Sequence, residues 1–189
     1  MQTICLEACH ALGITTALAR SRTVSPSNDE YQRILRSASK SATMSSHVQA
    51  LLHGPKLRGK VRHAFNLIGG SRGDVYYCVL RAIAADPAKR SFRYNELMPR
   101  VLELVTDSKK PAGSAVSGAC AHMARIASEK FPDERFLDWD SKNEVLDVID
   151  PYFWFYLRWS DCLGKQNSGT GNTKPADEGK SGWSGFTGG

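Results

Sequence analysis

The residues of this chain that could do chemistry are mainly basic, and they are concentrated in one segment. Nine lysines and arginines and two acidic residues lie between Arg20 and His63, whereas residues 64–164 hold thirteen basic and fourteen acidic residues. A local excess of positive charge favours phosphate backbones, because binding releases condensed counterions. The alternative is a solvated helix face followed by a basic loop. The densest cluster consists of Lys56, Arg58, Lys60 and Arg62.

Catalysis and metal binding find little support in the residue types. The five histidines are scattered and form no recognisable motif with a nucleophile. Cys5 and Cys9 lie four residues apart beside His10, but no second pair of ligands follows at the spacing of a zinc site. The sequence therefore predicts no enzyme activity, no metal site and no cofactor.

The composition is that of an ordinary globular protein. The chain has 189 residues, of which 41% are hydrophobic and 23% charged, and its net charge is +6. No apolar segment approaches the roughly 20 residues of a membrane span, and the N-terminus lacks the order of a signal peptide. Five cysteines without disulfide-like spacing suit a reducing compartment. We expect a cytoplasmic protein that does not contact a membrane.

Two strands, a turn and a capped aromatic helix are predicted between Arg135 and Trp159. The segments 136–139 and 145–149 are rich in strand-forming residues, and residues 140–143 have turn chemistry. Asp150 followed by Pro151 is typical of an N-cap and a first helical residue. On the helix, Tyr152, Phe155, Tyr156 and Trp159 share one face, which we expect to be buried. Phe153 and Trp154 lie away from it and are predicted to dock on the N-terminal segment or on a partner protein.

Three helices are predicted before this hairpin. Asp74 is expected to cap the first, Arg93 or Tyr94 to open the second, and Ser114 to start the third, which reaches Glu129. The order helix, helix, helix, hairpin, helix is that of a winged helix-turn-helix domain. Upstream, a helix is predicted at 4–19, and a second begins after a turn and N-cap at 23–29 and continues towards Gly54-Pro55.

Two segments resemble parts of AAA+ ATPases of the bacterial and archaeal initiator or transposition type. Residues 2–52, with the pattern QTICLEACHALG and a Thr-Val-Ser-Pro-Ser helix start, resemble the helical lid that follows the nucleotide-binding core. Residues 74–163, ending VLDVIDPYFWFYLRW, resemble the winged-helix domain after the lid. The resemblance implies a mainly α fold with a lid-like segment and basic linker at 1–68 and a winged helix-turn-helix domain with a short β-hairpin at 74–163. The Gly- and Ser-rich composition of the last residues separately predicts a disordered tail at 164–189.

The nucleotide-binding motifs of such ATPases have no counterpart in the sequence. A P-loop needs G-x-x-x-x-G-K-[ST], but the one candidate, Gly179-Lys180-Ser181, has Lys174 where the first glycine should stand. No Walker-B strand precedes the lid-like region. We therefore expect a truncated or split C-terminal part of an ATPase, with a P-loop core or another protein as a possible partner.

The predicted function is binding of duplex DNA. In helix-turn-helix domains the second helix of the pair enters the major groove, and here that helix starts at Ser114. The acidic residues Asp138, Asp140, Glu144 and Asp147 oppose a phosphate contact by the hairpin. They favour the alternative, a regulatory module that docks on a protein through the aromatic helix. The predicted DNA contacts are Ser114, Ser117, His122 and Arg125 on the helix, Lys109 and Lys110 before it, Lys142 at the hairpin tip, and the basic cluster of Lys56, Arg58, Lys60 and Arg62.

Overall fold

A computed structural model of the chain describes residues 2–14, 23, 25–40, 42–55 and 61–164. This part is mainly helical, with two small antiparallel sheets. The helices are α1 Gln2–Ala11, α2 Asn28–Ala38, α3 Ala42–His53, α4 Val75–Ala84, α5 Tyr94–Leu104, α6 Gly113–Lys130 and α7 Pro151–Trp159. The strands are β1 Phe65–Asn66, β2 Arg72–Gly73, β3 Ser91–Arg93, β4 Leu137–Asp140 and β5 Val145–Val148, and a 3-10 turn follows at Asp161–Leu163. None of the described helices is both long and apolar enough to span a bilayer.

Helices α2, α4 and α7 begin where the sequence predicts, and the side chain of the N-cap residue bonds the first turn of each. Asp74 accepts hydrogen bonds from the backbone N–H groups of Tyr76 and Tyr77, and Asp150 accepts one from Tyr152 at 2.7 Å. Ser27 and Glu30 form a reciprocal capping box at the start of α2. Each cap satisfies N–H groups that the helix itself cannot.

The first helix is shorter than predicted. It ends at Ala11 because Gly13 adopts the left-handed conformation, with φ of +68°. The N–H of Ile14 then bonds the carbonyl of Cys9 at 2.8 Å, and the N–H of Gly13 bonds that of His10 at 3.2 Å. This is the Schellman pattern of a helix end. The predicted continuation to residue 19 and the predicted disordered tail at 165–189 fall on residues outside the described part, as does most of the basic cluster.

A three-stranded sheet joins the C-terminal half of the fold. Its order is β3-β5-β4, and all pairs are antiparallel. The predicted hairpin is present as β4 and β5, with residues 141–144 as the connection. The carboxylate of Asp140 closes this connection, since it accepts hydrogen bonds from the backbone of Lys142 and from the backbone and side chain of Asn143. The sequence analysis missed β3, which is three residues long and runs directly into α5.

One hydrophobic core holds the helices and the sheet together, with α4 at its centre. Nearly every residue of α4 is buried, and the helix contacts α3, α5, α6 and α7. The core also includes Val48 and Leu51 of α3, both fully buried. It is therefore continuous across residues 68–74, where the sequence predicted a boundary between two domains.

The buried face of α7 differs from the predicted one. Phe153 is 0% exposed and lies with its ring centroid 4.7 Å from that of Phe136, whereas Tyr152 is 61% exposed. Tyr156 and Leu157 complete the buried side. Of the two docking surfaces predicted for Phe153, a partner protein is excluded by this burial, whereas the contact of α7 with α3 agrees with docking on the N-terminal segment. Trp154 is only partly exposed, and the Arg158 guanidinium lies 5.0 Å from its ring centroid.

Substitution of two glycines, Gly73 and Gly118, tests how closely the helices are packed. A Cβ on Gly73 would lie 2.4 Å from Cγ of Tyr77, so Gly73→Ala should lower the free energy of unfolding by about 1–3 kcal/mol through overpacking. A Cβ on Gly118, inside α6, would meet no atom within 4 Å. Gly118→Ala should instead stabilise the protein by about 0.5–1 kcal/mol through helix propensity. Urea unfolding of both variants measures the two signs, and equal effects would contradict the packing described.

Candidate nucleic-acid interface

Helix α6 begins at a crowded but solvent-facing point of the fold. Its N-cap, Ala112, offers no side-chain hydrogen bond to the first turn. Gly113 lies against the hydroxyl of Tyr94, the first residue of α5, and a Cβ there would lie 2.3 Å from the tyrosine oxygen. The glycine thus lets the beginnings of α5 and α6 touch. The N–H groups of the first turn of α6 are left without a side-chain cap.

Three of the predicted contact residues share the outward side of α6. Ser114 is exposed, and Ser117 is partly exposed with its hydroxyl 3.4 Å from the carbonyl of Ser114. Arg125 is 57% exposed and lies 3.9 Å from Glu129 across one helix turn. An exposed pair of this kind is weak, so the Arg125 guanidinium can exchange Glu129 for another anion.

His122 lies at the edge of this outward side and is partly exposed. Its Nδ1 is 2.9 Å from the hydroxyl of Tyr76 on α4, at the flank where the two helices meet. Burial raises the pKa of Tyr76, and the positive charge of Arg62 partly opposes that shift. The phenol is therefore neutral at pH 7, and His122 connects α6 to α4. The predicted contact of His122 with DNA stays a prediction, and Nδ1 is engaged by Tyr76.

Lys109 and Lys110 have different surroundings. The Lys110 ammonium donates to the carbonyl of Leu102 at 3.2 Å and to that of Val105. It therefore satisfies carbonyl groups at the C-terminal end of α5. Lys109 is exposed and forms no hydrogen bond or ion pair with another described residue. Of the two predicted phosphate contacts before α6, Lys109 is the one that faces solvent unpaired.

Arg62 joins two helices rather than facing solvent. Its guanidinium donates to Asp74 at 2.6 Å and to the carbonyls of Leu52 and His53 at the end of α3. It also lies 4.8 Å from the centroid of the Tyr76 ring. We therefore assign Arg62 to the packing of α3 against α4 instead of to DNA. The other three members of the predicted basic cluster, Lys56, Arg58 and Lys60, lie outside the described residues.

The β4–β5 hairpin stands beside the start of α5. The backbone N–H of Tyr94 donates to the carbonyl of Glu144 at 2.8 Å, which ties the hairpin connection to that helix. Lys142 in the connection and Arg93 before α5 are both exposed. This places two basic side chains on one flank of the α6 N-terminus.

The acidic residues of this hairpin occupy two places, the connection between the strands and the outer face of the sheet. The side-chain amide of Asn143 and the backbone N–H groups of the turn lower the pKa of Asp140. Asp138 lies 3.6 Å from Arg135 and pairs across the sheet with Asp147, while the alternate residues Leu137 and Leu146 are buried. Asp138 and Asp147 thus occupy the outer face of the sheet, on the side away from α6.

A second hairpin, β1–β2, adjoins the end of α5 and the link between α5 and α6, and it was not predicted from the sequence. Strands β1 and β2 pair in register Phe65 to Gly73 and Asn66 to Arg72. The apolar residues Phe65, Leu67 and Ile68 followed by Gly69-Gly70 are the signal that could have predicted it. An isolated bridge between Leu67 and Val105 joins the hairpin to the link between α5 and α6.

Comparison of the chain with models of protein families, with curated proteins and with solved structures finds no match. What the interface binds is therefore inferred from its residues and their positions.

Arg62 and Arg72 make a first test of these assignments. Arg62→Ala removes hydrogen bonds to two helix-end carbonyls and one carboxylate, so it should lower the free energy of unfolding by about 1–3 kcal/mol. Arg72→Ala, at an exposed position, should change it by less than about 0.5 kcal/mol. Urea unfolding measures both. A neutral Arg62→Ala would show that the residue is not structural and would return it to the candidate DNA contacts.

The pH dependence of the Asn66–Asp107 contact gives a second test. The backbone and side-chain N–H groups of Asn66 donate to Asp107 at 2.8 and 2.7 Å and lower the pKa of that carboxyl. A lowered pKa means that the contact is fully formed above the ordinary aspartate pKa of about 3.9 and is lost as the pH falls through the lower, folded-state value. In an NMR titration the Asn66 amide signal should shift with a midpoint below about 3.9. A midpoint at or above that value would contradict the contact.

Proposed function

We propose that residues 74–163 form a winged helix-turn-helix module that binds duplex DNA through α6. The order α4-β3-α5-α6-β4-β5 and the sheet order β3-β5-β4 support the fold assignment. In such modules the helix after the turn lies in the major groove and the β-hairpin contacts the backbone. The observation that carries the proposal is the solvent-facing start of α6, whose outward side carries Ser114, Ser117 and Arg125.

The exposed basic residues near this start suit phosphates. Lys142 and Arg93 lie on the β4–β5 side, and Lys109 and Arg72 on the β1–β2 side. The uncapped first turn of α6 adds N–H donors and the positive end of a helix dipole, which together favour an anion.

The outward face of α6 predicts weak sequence preference. Its residues are mostly small, and Gly118 and Ala121 let the backbone approach the groove closely. Arg125 is the only long basic side chain in the middle of that face, and one arginine can read one guanine. Binding is therefore mainly electrostatic. With about four phosphate contacts, the logarithm of the affinity should fall with that of the salt concentration with a slope of about −4.

The resemblance of residues 2–52 to an ATPase lid adds a partner to this proposal. A P-loop core carried on a separate polypeptide would use the module to hold DNA. Such a core would contact the lid-like helices α1 and α2.

The alternative, a protein-docking module, has one observation in its favour. A cleft of about 550 Å³ lies between α1, the link from α2 to α3, and the start of α7. Its walls are largely apolar and include Ile4, Phe155 and Tyr156. Because Phe153 is buried, docking on the aromatic helix would use this cleft rather than the residues that the sequence predicted.

Titration of a labelled duplex at two salt concentrations, read by fluorescence anisotropy, tests the proposed function. The protein should bind at low salt with the steep salt dependence given above. Arg125→Ala should weaken binding about fivefold to a hundredfold, the range of a base or phosphate contact of about 1–3 kcal/mol. Phe155→Ala, in the cleft, should leave the affinity unchanged.

Absence of binding by the wild-type protein at low salt would rule out the DNA proposal. Loss of binding in Phe155→Ala together with unchanged binding in Arg125→Ala would move the DNA site from α6 to the cleft.

A further inference from the structure

We propose that the β1–β2 hairpin is a second phosphate-binding element, which grips the DNA backbone beside the link between α5 and α6. Arg72 is its phosphate contact, and Ile68 at its tip lies against the sugar of the same strand. The inference rests on the proposed function, since it concerns the same DNA.

The hairpin is fixed to the link between α5 and α6 by backbone hydrogen bonds. The N–H of Ile68 donates to the carbonyl of Leu104 at 2.8 Å, and the N–H of Thr106 donates to the carbonyl of Asn66 at 2.9 Å. The Thr106 hydroxyl donates to the same carbonyl at 3.1 Å. The hairpin therefore keeps a fixed position relative to the start of α6, as a DNA-reading element must.

The only acidic residue of the α5–α6 link is turned towards the hairpin. Both carboxylate oxygens of Asp107 accept hydrogen bonds from Asn66, one from its backbone and one from its side chain. Arg72 and His63 lie close enough to lower the pKa of Asp107 through their charge. The Asp107 carboxylate therefore stays ionised and directed at Asn66, with the positive charge of Arg72 nearby, while the side chains of Arg72 and Lys109 remain exposed towards solvent.

The tip of the hairpin has a conformation that presents Ile68 outwards. The N–H of Gly70 donates to the carbonyl of Leu67 at 3.0 Å, and Gly69 and Gly70 have φ of +87° and +78°. Glycine supplies these left-handed conformations without strain. Ile68 is 56% exposed at the tip. Proteins that bind the minor groove combine basic residues with apolar side chains, isoleucine among them, that contact the DNA directly.

At the base of the hairpin, Gly73 fits against the Tyr77 ring of α4, with no room for a larger residue. The hairpin is therefore held on two sides, by α4 at its base and by the α5–α6 link along its length. The contacts with α4 and with the α5–α6 link fix the hairpin more firmly than a surface loop without a binding role requires.

The test compares Arg72→Ala with Arg90→Ala in full-length protein. Arg90 is also exposed, but it lies at the opposite end of β3 from Arg93, next to Val148. Arg72→Ala should make the salt slope shallower by about 1 and weaken binding about fivefold to tenfold at 0.1 M salt. In a hydroxyl-radical footprint it should lose protection at one edge of the site and keep protection at the centre. Arg90→Ala should match the wild type in both measurements.

If Arg72→Ala matches Arg90→Ala in slope and footprint while the wild type binds, the hairpin inference is overturned and the α6 proposal stands. If the wild type leaves no footprint, the proposed function itself fails. Ile68→Ser separates the tip from the charge: it should weaken binding without changing the salt slope, and an unchanged affinity would remove Ile68 from the contact.

Discussion

The fold depends on the hydrogen bonding of both ends of one buried helix, α4. Asp74 satisfies its first N–H groups, and the guanidinium groups of Arg100 and Arg158 satisfy its last carbonyls. Arg100 donates to Ala82 and Ala85, and Arg158 donates to Ala84 and Ala85. A helix end buried without such partners would cost about 1–3 kcal/mol for each unpaired group. Because these partners come from α5 and α7, the same bonds that complete α4 also fix the helices around it.

This arrangement determines which charges can face a partner. Arg62, Arg100, Arg158 and Lys110 all donate to carbonyls at helix ends, and Arg81 donates to the carbonyl of Leu163 at the final turn. A count of basic residues therefore overstates the positive surface. The basic residues that face solvent near α6 lie on the two hairpins and on the α5–α6 link. The position of the proposed interface follows from this division between inward and outward cations.

Local chemistry made much of the fold predictable. Asp74, Asp150 and the turn from Asp140 to Asn143 act through short-range hydrogen bonds, so the sequence identified the starts of α4 and α7 and the β4–β5 hairpin. The end of α1 is also set locally, by the left-handed conformation of Gly13. The sequence nevertheless predicted a longer helix, because apolar residues follow this glycine. The short strands β1, β2 and β3 were missed because two or three residues show no period.

The candidate site was predictable only in part, because exposure depends on what covers each residue. The spacing of α6 placed Ser114, Ser117 and Arg125 outward, and the structure agrees with that placement. His122 lies at the edge of the same face, and only the position of Tyr76 shows that it meets α4. For α7, helical spacing allowed two apolar faces, and the contact of Phe153 with Phe136 decides between them.

The central claim is that DNA binds at the start of α6. The most direct measurement is amide chemical-shift mapping by NMR during titration with a duplex of about 20 base pairs, or two helical turns. We predict perturbations at residues 113–118 of α6 and at residues 141–144 of the β4–β5 connection. Chemical-shift perturbations confined to the cleft around Ile4 and Phe155 would contradict this claim. The absence of any perturbation at saturating DNA would contradict it as well.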